Sequence, residues 1–229
     1  MMRILHVVGA MNRAGAETMI MNLYRRLDRS RFQFDFVYFT NDRCDFDGEI
    51  EALGSRFFRI GAGVGRCGAV HRMLMLRQLI TRLGNVEVVH CHTLLSNCFH
   101  LLAARLAGVP VRVAHSHNSM DQKHQRAVGR LYERLAKRFI QMLANRFVAC
   151  GADASEYLFP GREGVLILAN SIDVDEFATA RERGTGDFAE SYGLGSNCVK
   201  LVQIGRLQPV KNHQFTLDLA RELTKSGVD

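Results

Sequence analysis

Four histidines lie at the ends of two predicted strands, and their side chains are well placed to do chemistry. The segment VVHCHT contains His90 and His92, and the segment VAHSHNS contains His115 and His117. Residues two apart along a strand point to the same side, so each pair can face one cleft. A neutral imidazole there could hydrogen-bond a substrate hydroxyl or shuttle its proton, because histidine titrates near neutral pH.

Two other interpretations of these histidines stay open. Any single one could be a buried side chain bonded to the backbone, although two pairs at neighbouring strand ends favour a functional role for at least one. Four imidazoles could also hold a metal ion, but no carboxylate accompanies either pair at metal-ligand spacing. We therefore expect no metal site.

A glycine-containing loop, GAMNRAGAE, follows the first predicted strand and leads into a helix. The free N–H groups and the positive end of the helix dipole could hold an anion or a sugar hydroxyl. Gly15 would let a ligand approach closely, and Glu17 would lie in the first helical turn. The alternative is an ordinary strand-to-helix turn in which Glu17 complements the helix dipole.

The elements that must position these residues are short apolar runs alternating with longer segments of helical periodicity. This alternation predicts an α/β fold with a doubly wound, Rossmann-like parallel sheet, in which ligands bind at the carboxyl ends of the strands. The predicted strands are 4–8, 34–39, 57–60, 86–90, 111–115, 147–150, 165–168 and 199–204. The predicted helices are 15–27, 69–83, 97–107, 123–143 and 212–224.

Residues 178–197 break this rhythm, since they combine four glycines with clustered charges. They predict a linker between a first domain at 1–177 and the first β-α unit of an incomplete second domain at 198–229.

A GxGxxG pattern at Gly63, Gly65 and Gly68 also precedes a predicted helix. The next strand ends in His90 and not in the acidic residue that holds a cofactor ribose, so a flexible loop is the favoured interpretation.

The composition indicates a folded protein with anionic partners. Apolar residues make up 47% and charged residues 23%, and the formal net charge is +7. The six cysteines form no CxxC pair, which is typical of reduced, buried thiols. The opening apolar run is too short for a signal peptide or a spanning helix, so we expect a cytoplasmic protein, with the inner face of the membrane as a candidate location.

A basic stripe lies along the helix predicted at 123–143. Arginines recur there at every fourth residue, beside an apolar face; the arginines are Arg126, Arg130, Arg134 and Arg138, and the face comprises Val128, Leu131, Leu135, Phe139 and Met142. The stripe could be a solvated helix face, or it could contact an anionic membrane surface. Nucleic acid is not expected, because no aromatic platform or recognised binding motif accompanies it.

Taken in order, the segments NRAGAE, VEVVHCHT, VRVAHSHNS, NRFVACGADASEYL, VLILANSIDVDEF and VQIGRLQPVKNH resemble family four glycosyltransferases. These are retaining enzymes with the two-lobed GT-B fold, and the resemblance is strongest to those that build bacterial capsule and exopolysaccharide. It covers nearly the whole chain. It implies the amino-terminal lobe of a GT-B fold with a truncated second lobe.

The resemblance also implies roles for particular residues. His117, with His115 beside it, would lie near the reacting sugar, and the Gly15 loop would approach the donor phosphates. Arg206 and Lys211 would neutralise the diphosphate, so no metal or other cofactor is required. The acceptor-side cleft would comprise His90, His92, Glu17 and Asn118. Ala14, Cys150 and Ser171 depart from the family pattern, and they affect the details of donor contact.

Three functions follow from these expectations. The first is a retaining transferase that moves a sugar from a nucleotide diphosphate sugar to a glycan or lipid-linked acceptor. The second is a non-catalytic module that binds an acceptor or a membrane, because the sequence ends before the paired-glutamate motif of the family, which leaves this chain alone without most of a donor site. The third is a nucleotide-sugar epimerase, since such enzymes share the two-lobed architecture.

Overall fold

The computed structural model describes residues 1–61, 68–120, 127–182, 192–193, 199–205 and 207–228. The chain divides into two compact units, Met1–Ile172 and Asp173–Asp229. A helix at Val174–Glu182 crosses the boundary predicted near residue 178, and most of 183–197 lies outside the described residues. The assignment of 178–197 as a linker and 198–229 as the start of a second domain therefore stays a prediction.

The first unit contains a seven-stranded sheet in which every neighbouring pair is parallel. This confirms the predicted α/β class. The strands are β1 Met2–Val7, β2 Phe32–Tyr38, β3 Phe57–Arg59, β4 Val88–Cys91, β5 Val111–Ser116, β6 Arg146–Ala149 and β7 Leu166–Ile167. Their order across the sheet is β3-β2-β1-β4-β5-β6-β7, so β1, β4 and β5 are its central strands.

Helices connect the strands, and strand side chains alternate between two separate hydrophobic cores. The helices are α1 Gly15–Arg26, α2 Asp47–Ala52, α3 Gly68–Leu83, α4 Asn97–Leu106, α5 Ala127–Leu143, α6 Ala152–Leu158, α7 Val174–Glu182 and α8 His213–Lys225. In β1, Leu5 and Val7 belong to the larger core, which includes residues of α3 to α6. Phe34 and Phe36 of β2 belong to the smaller core, which includes residues of α1 and α2.

The predicted strand at 199–204 is wrong, because these residues adopt no strand conformation. A β-strand needs a neighbour to hydrogen-bond, and the described part of the second unit supplies none. It contains α7, a single 3-10 turn at Pro209–Lys211 and α8. The apolar residues of the run are accordingly exposed; Ile204 is 93% exposed.

Candidate active site

Five histidines meet at the carboxyl ends of the three central strands. His6 of β1 pairs with His90 of β4, and His90 pairs with Val113 of β5. His92 lies two residues beyond His90, and His115 lies two residues beyond Val113. The two side chains are therefore next to each other on the same side of the sheet. The structure thus brings together His90, His92, His115 and His117, and it adds His6, which the sequence analysis did not single out.

The five rings form one stacked and hydrogen-bonded array, which we call the histidine array. His6 Nδ1 lies 3.0 Å from His92 Nε2, and His92 Nδ1 lies 2.8 Å from His117 Nε2. Ring centroids are 4.2 Å apart for His90 and His92, and 4.0 Å apart for His115 and His117. Contacts of this kind fix the orientation of each ring against its neighbours.

Burial keeps the array uncharged at neutral pH. Desolvation is the largest cause, and neighbouring histidines add to it for His6 and His115. The pKa is lowered to about 3 for His6, to about 2 for His115 and, by desolvation, to about 4 for His117. Burial followed by neighbouring histidines places the pKa values of His90 and His92 well below the usual value. Neutral imidazoles can donate one hydrogen bond and accept another, so the array can bind polar groups without carrying charge.

Several nitrogens of the array are buried and have no hydrogen-bond partner among the described residues. They are His6 Nε2, His90 Nε2, His117 Nδ1 and both ring nitrogens of His115. His115 is only 1% exposed. Buried polar atoms in native proteins usually have a hydrogen-bond partner, so these nitrogens are available to bond a water molecule or a polar ligand.

A metal ion is one ligand to be tested against this geometry. Two groups, His6 with His90 and His92, and His92 with His115 and His117, place ligand atoms within 4.8 Å of one another. A metal ion lies in the plane of each imidazole that binds it, however. In each group one or more pairs of rings are stacked: His6 with His92 at an interplanar angle of 17°, and His115 with His117 at 29°. Stacked rings do not aim their lone pairs at one point, so the arrangement suits hydrogen bonding better than metal ligation.

The glycine loop that follows β1 is anchored to the segment between β2 and α2. The Arg13 N–H donates to Asp45 Oδ2 at 2.9 Å, and the Asp45 N–H donates to Asn12 Oδ1 at 3.1 Å. Helix α1 begins at Gly15, where an added Cβ would meet nothing within 4 Å. Neither packing nor a positive φ requires glycine at this position, so close approach of a ligand remains a reason for it.

The remaining predicted site residues differ in how far the structure describes them. Glu17 lies partly buried in the first turn of α1, and Asn118 is exposed just beyond β5. Lys211 is exposed at the end of the 3-10 turn of the second unit. Arg206 and Arg126 lie outside the described residues, as do Gly63 and Gly65 of the glycine pattern.

One histidine outside the array is a buried, hydrogen-bonded side chain of the core. His100 of α4 is buried, and its Nδ1 lies 2.8 Å from Thr93 Oγ1. The described cysteines, Cys44, Cys91, Cys98 and Cys150, are free, in agreement with the expectation of reduced thiols. Burial raises the pKa of Cys98 to about 11 and that of Cys91 further, so neither is a reactive thiolate at neutral pH.

Helix α5 presents its apolar face outward. Val128 is 81% exposed and Phe139 is 51% exposed, whereas Ala136, Ile140 and Leu143 form its buried side. Between α4 and α5 lies an apolar groove of about 470 Å³, lined by Cys98, Phe99, Leu102, Arg105, Tyr132, Leu135, Ala136, Phe139, Met142 and Leu143. Arg130, Arg134 and Arg138 of the basic stripe are exposed on the same helix.

The parallel sheet, with the histidine array at the carboxyl ends of its central strands, defines an open α/β domain of the kind that forms one lobe of GT-B enzymes. The model of the glycosyl transferase 4-like domain matches residues 14–165. This chain belongs to that family.

Two curated relatives match nearly the whole chain. The putative glycosyltransferase EpsF of Bacillus subtilis is 40% identical over 230 residues, which cover 99% of this chain and 59% of the relative. The capsular polysaccharide biosynthesis glycosyltransferase CapH of Staphylococcus aureus is 22% identical over 231 residues, which cover 98% of this chain and 59% of the relative. This chain thus spans less than two thirds of the length of either relative.

Among solved structures, the HepE protein of Anabaena in complex with UDP superposes with a TM-score of 0.70. It is 16% identical, and the match covers 95% of this chain and 57% of that protein. At this identity the likeness concerns the fold alone, and it agrees with the predicted GT-B lobe.

Proposed function

We propose that this chain supplies the acceptor-side lobe of a retaining glycosyltransferase that moves a sugar from a nucleotide diphosphate sugar to a glycan or lipid-linked acceptor in bacterial polysaccharide synthesis. The family match and the names of the two relatives support transfer of a sugar. The observation that carries the proposal is the histidine array, a set of neutral donors and acceptors at the ligand-binding edge of the sheet. Sugars and phosphates present the hydroxyl groups and oxygens that such groups bind.

In this proposal the charge needed for catalysis comes from the second unit. The leaving nucleoside diphosphate gains negative charge as the glycosidic bond breaks, and cations stabilise it best where water is excluded. Arg206 and Lys211 take this role, and the Gly15 loop admits the phosphates close to the amino end of α1. His117 then contacts the reacting sugar, while His90, His92, Glu17 and Asn118 line the acceptor side.

The test uses this chain joined to a complete second lobe. Nucleoside diphosphate release should depend on acceptor, and His117→Ala or Lys211→Ala should slow it by about 100-fold. His71→Ala, on the exposed surface of α3, is the matched control and should keep wild-type turnover. Unchanged turnover in both site variants would remove the assignment, and product NMR would show whether the anomeric configuration is retained.

The same assay separates the two alternative functions. An epimerase would change the stereochemistry of the donor sugar in the absence of acceptor. A non-catalytic module would release no nucleoside diphosphate from any donor, even when joined to its second lobe. The two relatives are both named glycosyltransferases, which favours transfer.

We also propose that the α4–α5 surface docks on an anionic bilayer and so brings a lipid-linked acceptor to the site. The exposed apolar face of α5 lies next to a basic surface formed by Arg134, Lys137, Arg138 and Arg162. Apolar side chains that enter the headgroup region beside cations are typical of helices that lie on membranes. No helix in the described part of the chain has the length and apolar character needed to span a bilayer.

Sedimentation with phosphatidylglycerol vesicles tests this docking. Leu135→Asp with Phe139→Asp should abolish co-sedimentation, and salt should weaken the wild-type interaction because it screens the arginines. Leu74→Asp on α3 is the matched control, since Leu74 is 45% exposed and Leu135 is 46% exposed. Equal sedimentation of all variants, or equal binding to neutral phosphatidylcholine vesicles, would contradict the proposal.

A further inference from the structure

Three histidines of the array form a hydrogen-bonded chain across the sheet, from His6 through His92 to His117. In each bond one nitrogen has to donate a proton and the other has to accept it. A neutral imidazole carries a single proton on one of its two nitrogens. The tautomers of the three rings are therefore coupled, and the choice made by one ring determines the other two.

Only two arrangements of neutral rings satisfy both bonds. If all three rings are protonated on Nδ1, the bonds run outward: His6 donates to His92, and His92 donates to His117. If all three are protonated on Nε2, the bonds run inward, and His6 Nε2 carries an N–H. The two arrangements differ in which terminal nitrogen, His6 Nε2 or His117 Nδ1, holds the unpaired proton.

The surroundings of His6 favour the outward arrangement. His6 is 2% exposed, and its ring centroid lies 4.2 Å from that of Phe34 and 5.6 Å from that of Phe36. Its Nε2 atom has no partner among the described residues. Buried N–H groups without an acceptor are rarer than buried acceptors without a donor. A bare nitrogen at His6 leaves the free N–H on His117 Nδ1. That atom is also buried and without a partner among the described residues, but its ring is partly exposed at the strand end, where a ligand can supply an acceptor, whereas His6 is enclosed by apolar rings.

The hydrogen-bonded row of His6, His92 and His117 does not act as a proton relay. A proton accepted at His117 would have to appear as a positive charge at His6. Burial and the nearby His115 lower the pKa of His6 to about 3, so that charge is strongly disfavoured there. What the chain can do is hold each ring in one tautomer.

We propose that His6 and His92 are positioning residues that fix His117 in its Nδ1–H tautomer, so that His117 presents a hydrogen-bond donor to an oxygen of the bound sugar or diphosphate. The identity of that oxygen rests on the proposed function. The tautomer itself does not, and it can be measured without any substrate.

Long-range ¹H–¹⁵N correlation spectra of the 229-residue chain, labelled with ¹⁵N-histidine, test the proposal at pH 7.5. His117 should show a protonated Nδ1 and a bare Nε2, and its signals are assigned by their loss in His117→Gln. His6 and His92 should show the same pattern. A His117 proton on Nε2, or rapid averaging between the two nitrogens, would overturn the proposal.

Variants at His92 separate positioning from packing. In His92→Asn the amide nitrogen takes the place of Nδ1 and can still donate to His117, so the single tautomer of His117 should persist. In His92→Phe a ring still packs in the array, but both hydrogen bonds are lost, and His117 should average between tautomers. His100 makes its hydrogen bond to Thr93 and not to the three coupled histidines. Its signals should stay unchanged in both variants and so report an intact fold. An unchanged His117 pattern in His92→Phe contradicts the positioning role.

A zinc titration of the EDTA-treated protein tests the alternative that the array is a metal site. The proposal expects no stoichiometric binding by these rings. If one equivalent of Zn²⁺ shifts His6, His90 and His92 together, the array is a metal site and the proposal is wrong. Failure of either spectroscopic test leaves the turnover assay of His117→Ala unaffected, so the two proposals can fail separately.

Discussion

Mild acid should unfold the first unit, because unfolding releases six histidines that the folded chain keeps neutral. Burial is the largest cause in each case. It lowers the pKa of His6 and His100 to about 3, that of His115 to about 2 and that of His117 to about 4. The pKa values of His90 and His92 lie well below normal for the same reason.

The sign of the effect follows from proton binding. In the unfolded chain each histidine regains a pKa of about 6.5, so below that pH the unfolded state binds more protons than the folded state. Stability is therefore complete well above pH 6.5 and is lost as the pH falls from 6.5 towards the folded values. Between pH 6.5 and 5.5 each residue lowers the free energy of unfolding by about 1 kcal/mol. Six residues give at most about 6 kcal/mol, against a total of about 5 to 15 for a domain.

Urea unfolding followed by circular dichroism at pH steps from 7.0 to 5.0 measures this directly. The slope of unfolding free energy against pH gives the number of protons taken up, which should be about five at pH 5.5. Carboxylates titrate at lower pH and contribute little in this window. His6→Phe should remove about one proton from the slope. An uptake of one proton or fewer in the wild-type chain would refute the neutral, buried array.

Three substitutions test other parts of the argument. Gly15→Ala should leave the free energy of unfolding unchanged or raise it by up to about 1 kcal/mol, because its Cβ meets nothing. If the proposed function holds, the same change should weaken the binding of a nucleoside diphosphate probe to this chain joined to a complete second lobe, as measured by calorimetry; equal affinity would exclude the loop from the donor site. Asp35→Asn should lower the free energy of unfolding, measured in urea, by about 2 kcal/mol, because the buried carboxylate accepts hydrogen bonds from Arg3 and Arg56. The loss should not be larger, because both arginines are partly exposed and can turn to water. Ile140→Ala should cost about 2 to 5 kcal/mol, whereas Phe139→Ala should cost less than about 1, because only Ile140 faces the core; equal costs would contradict the outward orientation of the apolar face of α5.

Much of the sheet could be predicted from the sequence, because a parallel strand buried on both faces leaves a short apolar run. The carboxyl ends of those runs also located the two histidine pairs. His6 escaped notice because it has no second histidine two residues away. Its place in the array depends on β1 lying beside β4, and chain order alone does not reveal which strands are neighbours.

Two apolar features show what residue type alone leaves open. The apolar run at 199–204 and the apolar face of α5 were both recognised from their residue types, but hydrophobicity does not specify what covers a surface. The run forms no strand, because the described second unit offers no neighbouring strand. Helix α5 contacts the core through Ala136, Ile140 and Leu143, which are buried. Its apolar face lies on another side of the helix and is exposed. Short helices such as α2 and α6 were missed because six or seven residues hardly establish a periodicity.

The neutrality of the array also constrains how an anionic ligand can bind to this lobe. The positive charge of the chain resides on arginine and lysine, while the array at the cleft carries none at neutral pH. Buried imidazoles therefore contribute direction and hydrogen bonds but little long-range attraction. In the proposed function a diphosphate would receive its counter-charge from Arg206 and Lys211 and not from the array. Such a division lets the first lobe discriminate sugars and acceptors by geometry, because its contacts hardly depend on the charge of the ligand.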